Sequence, residues 1–203
     1  KADIAHAIHR RYKVDVIPGS FIYNKGINHF KLKGRIAKIK DNYDFVVIDS
    51  SPSMNDEILS TMLASDNLFL VTTPDYPTMT CSLKAAKLAK ERGVPISGII
   101  INKIRSPKYE VELAEIESLV GIPVVAKIKD DPTMTKSLFT RVPASISNKR
   151  SNFAKELMRF SDSISGEPTK MPFWKKMFSF GVGREEVNRQ VLKESFYKSM
   201  FEE

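Results

Sequence analysis

Short runs of β-branched and aromatic residues alternate along this chain with segments of helical periodicity. The runs occupy residues 14–17, 45–48, 68–73, 96–101 and 123–128, and the helical segments at 82–92 and 109–120 each stop at a glycine. Continuous apolar runs are typical of strands covered on both faces, and strands alternating with helices form parallel sheets. The chain is therefore predicted to be an α/β protein, a parallel sheet flanked by helices in three layers. Ligands bind such sheets at the carboxyl ends of their strands.

The composition narrows the class of protein further. With 203 residues, of which 42% are hydrophobic and 28% charged, the chain is an ordinary globular polypeptide. Its single cysteine, Cys81, excludes an intrachain disulfide and a site built from several cysteines. No run approaches the ~20 apolar residues that span a bilayer. We expect a core at 1–166, followed by a linker and amphipathic tail at 167–203.

The positive charge of the chain is concentrated near its start. Residues 1–40 contain ten lysines and arginines against two acids, which equals the net charge of +8 of the whole chain. Such an imbalance can mark contact with phosphates or anionic lipid. Because no aromatic residues interleave with these cations at stacking spacing, we favour a solvated surface.

Three polar segments directly follow predicted strands. Asp49 ends the 45–48 run, Asn102 ends the 96–101 run, and the sequence Lys129, Asp130, Asp131, Pro132 follows the last run. A carboxylate at a sheet edge can hold the water shell of Mg²⁺, and an amide can both donate to and accept from a purine. Taken singly, each is also an ordinary structural feature: a capping aspartate, a turn asparagine and a polar turn.

The three segments, in this order and spacing, resemble the MinD/ParA family of deviant P-loop ATPases, and the MinD-like (septum site-determining) branch most. The likeness spans about residues 1–166 and includes Val-Thr-Thr-Pro-Asp at 71–75, similar to the family's Val-Thr-Thr-Pro-Glu. The resemblance implies a P-loop NTPase fold that uses ATP and Mg²⁺. It implies that Asp49 acts catalytically in switch II and binds Mg²⁺ through water. It also implies that Asn102 contacts adenine and that Lys129, Asp130, Asp131 and Pro132 flank the base.

The sequence departs from the family pattern at three places. Switch II often reads Asp-x-Pro-Pro or Asp-x-Pro-Gly in the family, whereas residues 49–53 read Asp-Ser-Ser-Pro-Ser, one residue looser around the proline. Lys129 stands where the family usually has a proline, and no phosphate-binding Gly-x-x-x-x-Gly-Lys-Ser/Thr or Lys-Gly-Gly-x-Gly-Lys motif occurs in the 203 residues. The chain also begins at Lys1 rather than Met. We therefore expect an N-terminal truncation of about two βα units, a degenerate pseudo-ATPase being the alternative. Residues 1–203 alone are expected to be poorly soluble and to hydrolyse no ATP.

A second signal lies in the tail. At helical spacing, the aromatic and apolar residues of 173–180 form one arc and the lysines lie opposite. The expected membrane-contacting residues are Phe173, Trp174, Lys175, Lys176, Met177, Phe178 and Phe180. Bulky aromatics opposite lysines are typical of a helix in the headgroup plane of an anionic bilayer. The alternative is a helix packed on the protein body. An extension at 184–203, with Val187, Val191, Leu192, Phe196 and Met200, is also predicted to be amphipathic and could dock a partner.

The resemblance and the tail together predict a MinD-like ATPase. Such a protein would form a homodimer around ATP in the cytoplasm, attach to the inner face of the cell membrane and position division or other machinery. Three alternatives remain open from the sequence: a ParA-like partition ATPase that binds DNA, a flagellum- or pilus-number regulator of the same family, and a non-catalytic interaction module.

Overall fold

The computed structural model describes residues 4–19, 28–50, 55–165 and 183–201, and these divide into two compact units at Asp66 and Asn67. The second unit is built on a parallel sheet of three strands in the order β3-β4-β5. These strands are Leu68–Thr72, Ile96–Ile104 and Val124–Lys129. All three coincide with predicted runs, so the predicted α/β class with a parallel sheet is confirmed.

Helices cover this sheet. The helices α3 (Tyr76–Glu91) and α4 (Leu113–Val120) contact its strands, as does α7 (Asn152–Ser165). The shorter helices α5 (Pro132–Thr140) and α6 (Ala144–Ser147) connect β5 to α7. Helix α3 begins earlier than the periodicity predicts because the Asp75 carboxylate accepts a hydrogen bond from the Thr78 amide and Pro77 fits the first turn.

The core of the second unit lies between the sheet and its last helices. Ile100, Val125, Ala126 and Ile128 pack there with Leu192 of α8 (Arg184–Phe201), and phenylalanines from β3, α7 and α8 close the cluster. The rings of Phe69 and Phe160 meet edge to face with centroids 5.1 Å apart. Helix α8 is therefore one of the helices that pack on the sheet.

Helix α8 docks with polar residues facing inward. Arg189 and Lys193 are 4% and 5% exposed, whereas Val187 and Val191 are 45% and 64% exposed. The apolar stripe predicted from the sequence is therefore wrong, because Leu192 and Phe196 face the core but both valines and Met200 are exposed. Buried ion pairs permit this orientation: Arg189 binds Glu156 and Glu186, and Lys193 binds Asp162.

Side chains of α7 and α8 also cover the outer edge of β5. The backbone oxygen of Val124 accepts from the Asn188 side chain at 2.8 Å, and that of Val125 accepts from Arg189 at 3.3 Å. The amide of Lys127 donates to Glu156 of α7 at 3.1 Å. Because unpaired strand edges promote association with other chains, these contacts protect β5.

The described residues of the first unit, which spans residues 1–66, form an antiparallel hairpin, two α-helices and short 3-10 helices. Strands β1 (His9–Arg11) and β2 (Val14–Val16) pair across a turn in which Tyr12 and Lys13 have positive φ. Helix α1 (Leu32–Ile36) contacts α2 (Asp56–Ala64), where Met62 is buried. The predicted 14–17 strand therefore pairs antiparallel in a hairpin and not in the parallel sheet.

The predicted strand at residues 45–48 is wrong. The structure forms no strand there, and Val47 is 91% exposed. A strand requires a backbone partner, and in the described ranges no segment pairs with these residues. Apolar side chains alone did not decide the conformation.

Candidate functional site at the carboxyl edge of the sheet

The carboxyl ends of β4 and β5 meet at one edge of the sheet. Ile104 pairs with Lys129, and the amide of Asp130 donates to the Ile104 oxygen at 2.9 Å. Asn102 lies two residues before Ile104. The structure therefore brings together five of the predicted site residues: Asn102, Lys129, Asp130, Asp131 and Pro132.

Asn102 occupies an irregularity in β4. The register with β5 breaks between Ile101 and Ile104, and Lys103 has a φ of 56°. The side-chain oxygen of Asn102 accepts a hydrogen bond from the Lys103 amide at 2.9 Å. Asparagine favours such local bonds with its own backbone, which stabilise turns and bulges. Among the described residues this is the one hydrogen bond of the Asn102 side chain, so its two amide hydrogens can reach a ligand.

Residues 129–132, at the end of β5, form a turn that is held by hydrogen bonds of its two aspartates. This segment is here called the 129–132 turn. The Asp130 carboxylate accepts from Nε of Arg105 at 2.7 Å. The two Asp131 oxygens accept from the amides of Thr133, at 2.8 Å, and Phe153, at 3.3 Å. Pro132 occupies the first turn of α5. The Asp131 side chain thus caps α5 and holds the start of α7 close to the turn.

These hydrogen bonds perturb the carboxyl group of Asp131. The side-chain and backbone hydrogen bonds of Thr133 hold the pKa of Asp131 below its ordinary value, and the Phe153 amide acts in the same direction. All of them favour the ionised form, so the cap is strongest when the carboxylate is charged.

The Asp131→Ala variant should lower the free energy of unfolding by about 1 kcal/mol at neutral pH, as expected for a lost N-cap. Because the folded pKa is depressed, the contribution is complete above the unfolded pKa of about 3.9 and is lost as the pH falls further. Urea unfolding of both proteins at neutral and strongly acidic pH measures this difference. A difference that persisted unchanged in acid would contradict the capping role.

Asp49 lies in the first unit. Its side chain is exposed, in the irregular segment that stands where a strand was predicted, and residues 51–54 after it lie outside the described residues. Within the described part of the chain, no three His, Cys, Asp or Glu side chains gather as a metal site. A single carboxylate nevertheless suits Mg²⁺, which keeps most of its water ligands.

Sequence reasoning missed a cleft beside β3 and β4. It has a volume of about 480 Å³ and lies between the 74–77 turn and residues 109–115. The lining side chains include two tyrosines and four acids: Tyr76, Tyr109, Asp75, Glu110, Glu112 and Glu115. The carboxylate of Glu115, which accepts from the Tyr76 hydroxyl at 3.2 Å, raises the pKa of Tyr76. Three glutamates within six residues were the available sequence signal.

The predicted membrane helix falls on residues 173–180 of the tail. Phe173, Trp174, Lys175, Lys176, Met177, Phe178 and Phe180 lie outside the described residues. In the ranges that are described, each helix is too short or too polar to cross a bilayer.

Comparison with known proteins shows which class of protein this sequence resembles. A family model described as an AAA domain matches residues 14–90. An uncharacterized ATP-binding protein of Methanocaldococcus jannaschii is 27% identical over 183 residues, which is 89% of this chain and 69% of that protein. These matches show a similarity to ATP-binding proteins, and the parallel sheet agrees with the α/β class of fold.

Two solved structures of MinD proteins are similar to this chain in sequence and in fold. The cell division ATPase MinD of Pyrococcus furiosus is 25% identical with a TM-score of 0.69, and the match covers 76% of this chain and 67% of that one. The septum site-determining protein MinD of Pyrococcus horikoshii, solved with Mg-ADP, is 24% identical with a TM-score of 0.74 over 84% and 73% of the two chains. The predicted resemblance to MinD/ParA ATPases, in sequence and in fold, is confirmed.

Proposed function

We propose that this protein binds and hydrolyses ATP with Mg²⁺, as a MinD-like ATPase that dimerises around the nucleotide at an anionic membrane surface. The supporting observation is the position of Asn102, in the β4 bulge beside the 129–132 turn at the carboxyl edge of the sheet. This is the edge where parallel α/β sheets bind ligands. The similarity to MinD proteins supports the same activity.

Each site residue then has a defined role. The Asn102 amide hydrogen-bonds to the adenine edge, and Lys129 and Asp130 border the base. Asp131 and Pro132 shape the turn, because both Asp131 oxygens already accept from backbone amides. Asp49 would hold Mg²⁺ through its water shell. The ion, when bound, neutralises charge that develops on the phosphates.

The Asn102→Ala variant should bind ATP about tenfold more weakly, since each lost hydrogen bond to a base costs roughly 1 kcal/mol. Equilibrium binding of a fluorescent ATP analogue to the full-length protein measures this loss. Asn148→Ala is the matched control, because Asn148 is an exposed asparagine at the end of α6. Equal affinity of the two variants would refute the adenine contact.

Hydrolysis needs a phosphate-binding loop. Because residues 1–203 contain no such motif, we propose that this chain alone turns over no ATP and that activity requires a polypeptide carrying the loop. Phosphate release from purified residues 1–203 tests the first statement, and measurable Mg²⁺-dependent turnover would overturn it. Codons upstream of Lys1 that encode Lys-Gly-Gly-x-Gly-Lys-Thr would support the second, and a start codon there would favour a pseudo-ATPase.

The tail supplies the proposed membrane attachment, at the inner face of the cell membrane. If residues 173–180 are helical, their sequence spacing puts the aromatic residues opposite Lys175 and Lys176. One short amphipathic helix binds weakly, so ATP-driven dimerisation, which joins two helices, would switch attachment on. Position at the membrane would then direct division or other machinery.

The Trp174→Glu variant should reduce binding to anionic vesicles by at least about tenfold, because it puts a negative charge on the inserted face. Co-sedimentation with phosphatidylglycerol-containing liposomes measures the effect, and Ser179→Glu on the lysine side is the control. Unchanged sedimentation of Trp174→Glu would remove the tail from the proposal.

A ParA-like function on DNA is the second candidate. Its support is the exposure of Arg10, Arg11 and Lys13 around the β1–β2 turn and of Lys33 and Arg35 on α1. Phosphate contacts by these cations would make DNA binding fall steeply with salt. Such binding, lost on substitution of Arg11 and Lys13 by alanine, would favour this candidate over membrane positioning.

A further inference from the structure

Large apolar side chains project from the elbow formed by α5 and α6. Leu138 is 76% exposed and Phe139 is 89% exposed at the end of α5, and Ile146 in α6 is 45% exposed. Here these three residues are called the elbow patch. Single exposed apolar residues are common, but three large ones within nine positions form a patch that indicates an interaction surface.

Cations flank the elbow patch along the chain. Lys136, Arg141, Lys149 and Arg150 are all exposed, and no Asp or Glu occurs from Pro132 to Lys155. The cleft beside β3 and β4 has the opposite character, with two tyrosines among four carboxylates. The elbow therefore combines apolar area with a positive potential, which fits a negatively charged partner surface.

The elbow is held in this conformation by its own backbone and buried residues. The Ser137 hydroxyl donates to the Val142 oxygen at 2.6 Å, and Ala144 is 3% exposed. Asp131 caps the start of α5, and Arg141 ends the helix with a φ of 56°. Leu138 and Phe139 are thus directed outward by an ordered turn.

We infer that the elbow patch contacts an anionic lipid bilayer, with Phe139 and Leu138 inserted among the headgroups and the flanking cations on lipid phosphates. An apolar wedge with a cationic rim is the pattern of surfaces that lie in the membrane interface. Two of the three apolar side chains are aliphatic, which favours lipid over nucleic acid, where bases stack on aromatic rings. This contact is independent of nucleotide binding and adds to the tail helix.

The test is vesicle binding by the double variant Leu138→Ser/Phe139→Ser. Co-sedimentation with liposomes of phosphatidylcholine and phosphatidylglycerol should fall about tenfold for this variant. Tyr109→Ser is the matched control, since Tyr109 is 82% exposed but lies among the acids of the cleft. Circular dichroism and thermal unfolding should be unchanged, because the substituted side chains are mostly exposed. Equal lipid binding by the elbow variant and by Tyr109→Ser would overturn the inference.

A second comparison separates the elbow from the tail. In full-length protein carrying Trp174→Glu, the elbow substitutions should cause a further loss of vesicle binding of similar factor. ATP affinity should stay unchanged, so a failed ATP assay leaves this inference intact. If the elbow substitutions instead reduce binding to double-stranded DNA and leave vesicle binding unaltered, the surface is a nucleic-acid site and the lipid assignment is wrong.

Discussion

Replacing Arg189 by methionine should destabilise the protein by about 3 kcal/mol, since removing one partner of a buried ion pair leaves an uncompensated charge. Arg189 is 4% exposed and lies 2.6 Å from Glu156 and 2.6 Å from Glu186. Burial opposes its charge, but the hydrogen bonds to Glu186 and Glu156 hold the pKa of Arg189 above its ordinary value. Urea unfolding of the wild-type and variant proteins measures the difference.

Two further variants make this prediction specific. Adding Glu156→Gln to Arg189→Met should recover part of the loss, because the glutamine carries no charge and still accepts from the Lys127 amide. Lys87→Ala breaks an exposed pair in α3, at 4.0 Å from Glu91, and should cost less than about 0.5 kcal/mol. A loss for Arg189→Met no larger than that for Lys87→Ala would show that the buried ion pairs of Arg189 contribute little to stability.

Gly98→Ala should cost about 2 kcal/mol through overpacking of the sheet. A Cβ at Gly98 would lie 2.7 Å from both methyl groups of Val125, and Val125 is fully buried. Valine is stiff about its first side-chain bond, so the contact cannot be relieved by a rotation within the same space. Chemical denaturation gives the free energy of unfolding of each variant.

A second substitution, at Val125, tests whether overpacking is the cause of the destabilisation by Gly98→Ala. In the Val125→Ala background the penalty for Gly98→Ala should shrink by at least about 1 kcal/mol, because the clashing methyl groups are gone. Gly34→Ala in α1 is the control: a Cβ at Gly34 would have no atom within 4 Å, and alanine there should stabilise the helix slightly. Additive effects of Gly98→Ala and Val125→Ala would contradict the overpacking account.

Local sequence chemistry predicted the sheet and part of the site. The runs at 68–73, 96–101 and 123–128 become β3, β4 and β5 because a strand covered on both faces needs continuous apolar residues. Asn102 and the 129–132 turn meet at one edge because parallel strands end on the same side. These features depend on residues close together in the chain, so a single sequence carries them.

Other features could not be predicted from residues that are close together in the chain. The run at 45–48 is as apolar as β3 but forms no strand, and its Val47 is 91% exposed. The extension at 184–203 is predicted to be amphipathic and free to dock a partner, yet it packs on the sheet with Arg189 and Lys193 facing the protein. Both outcomes depend on partners far away in the chain, namely a neighbouring strand and the acids of α7.

The sequence by itself determined the class of fold and the polar residues that follow each strand of the sheet, since these follow from side-chain shape and short-range periodicity. Only the tertiary structure decided which runs pair, which face of α8 is buried and that Leu138 and Phe139 remain exposed. The physical reason is that burying a charge or pairing a strand depends on a partner that folding, and not proximity in the chain, brings within reach.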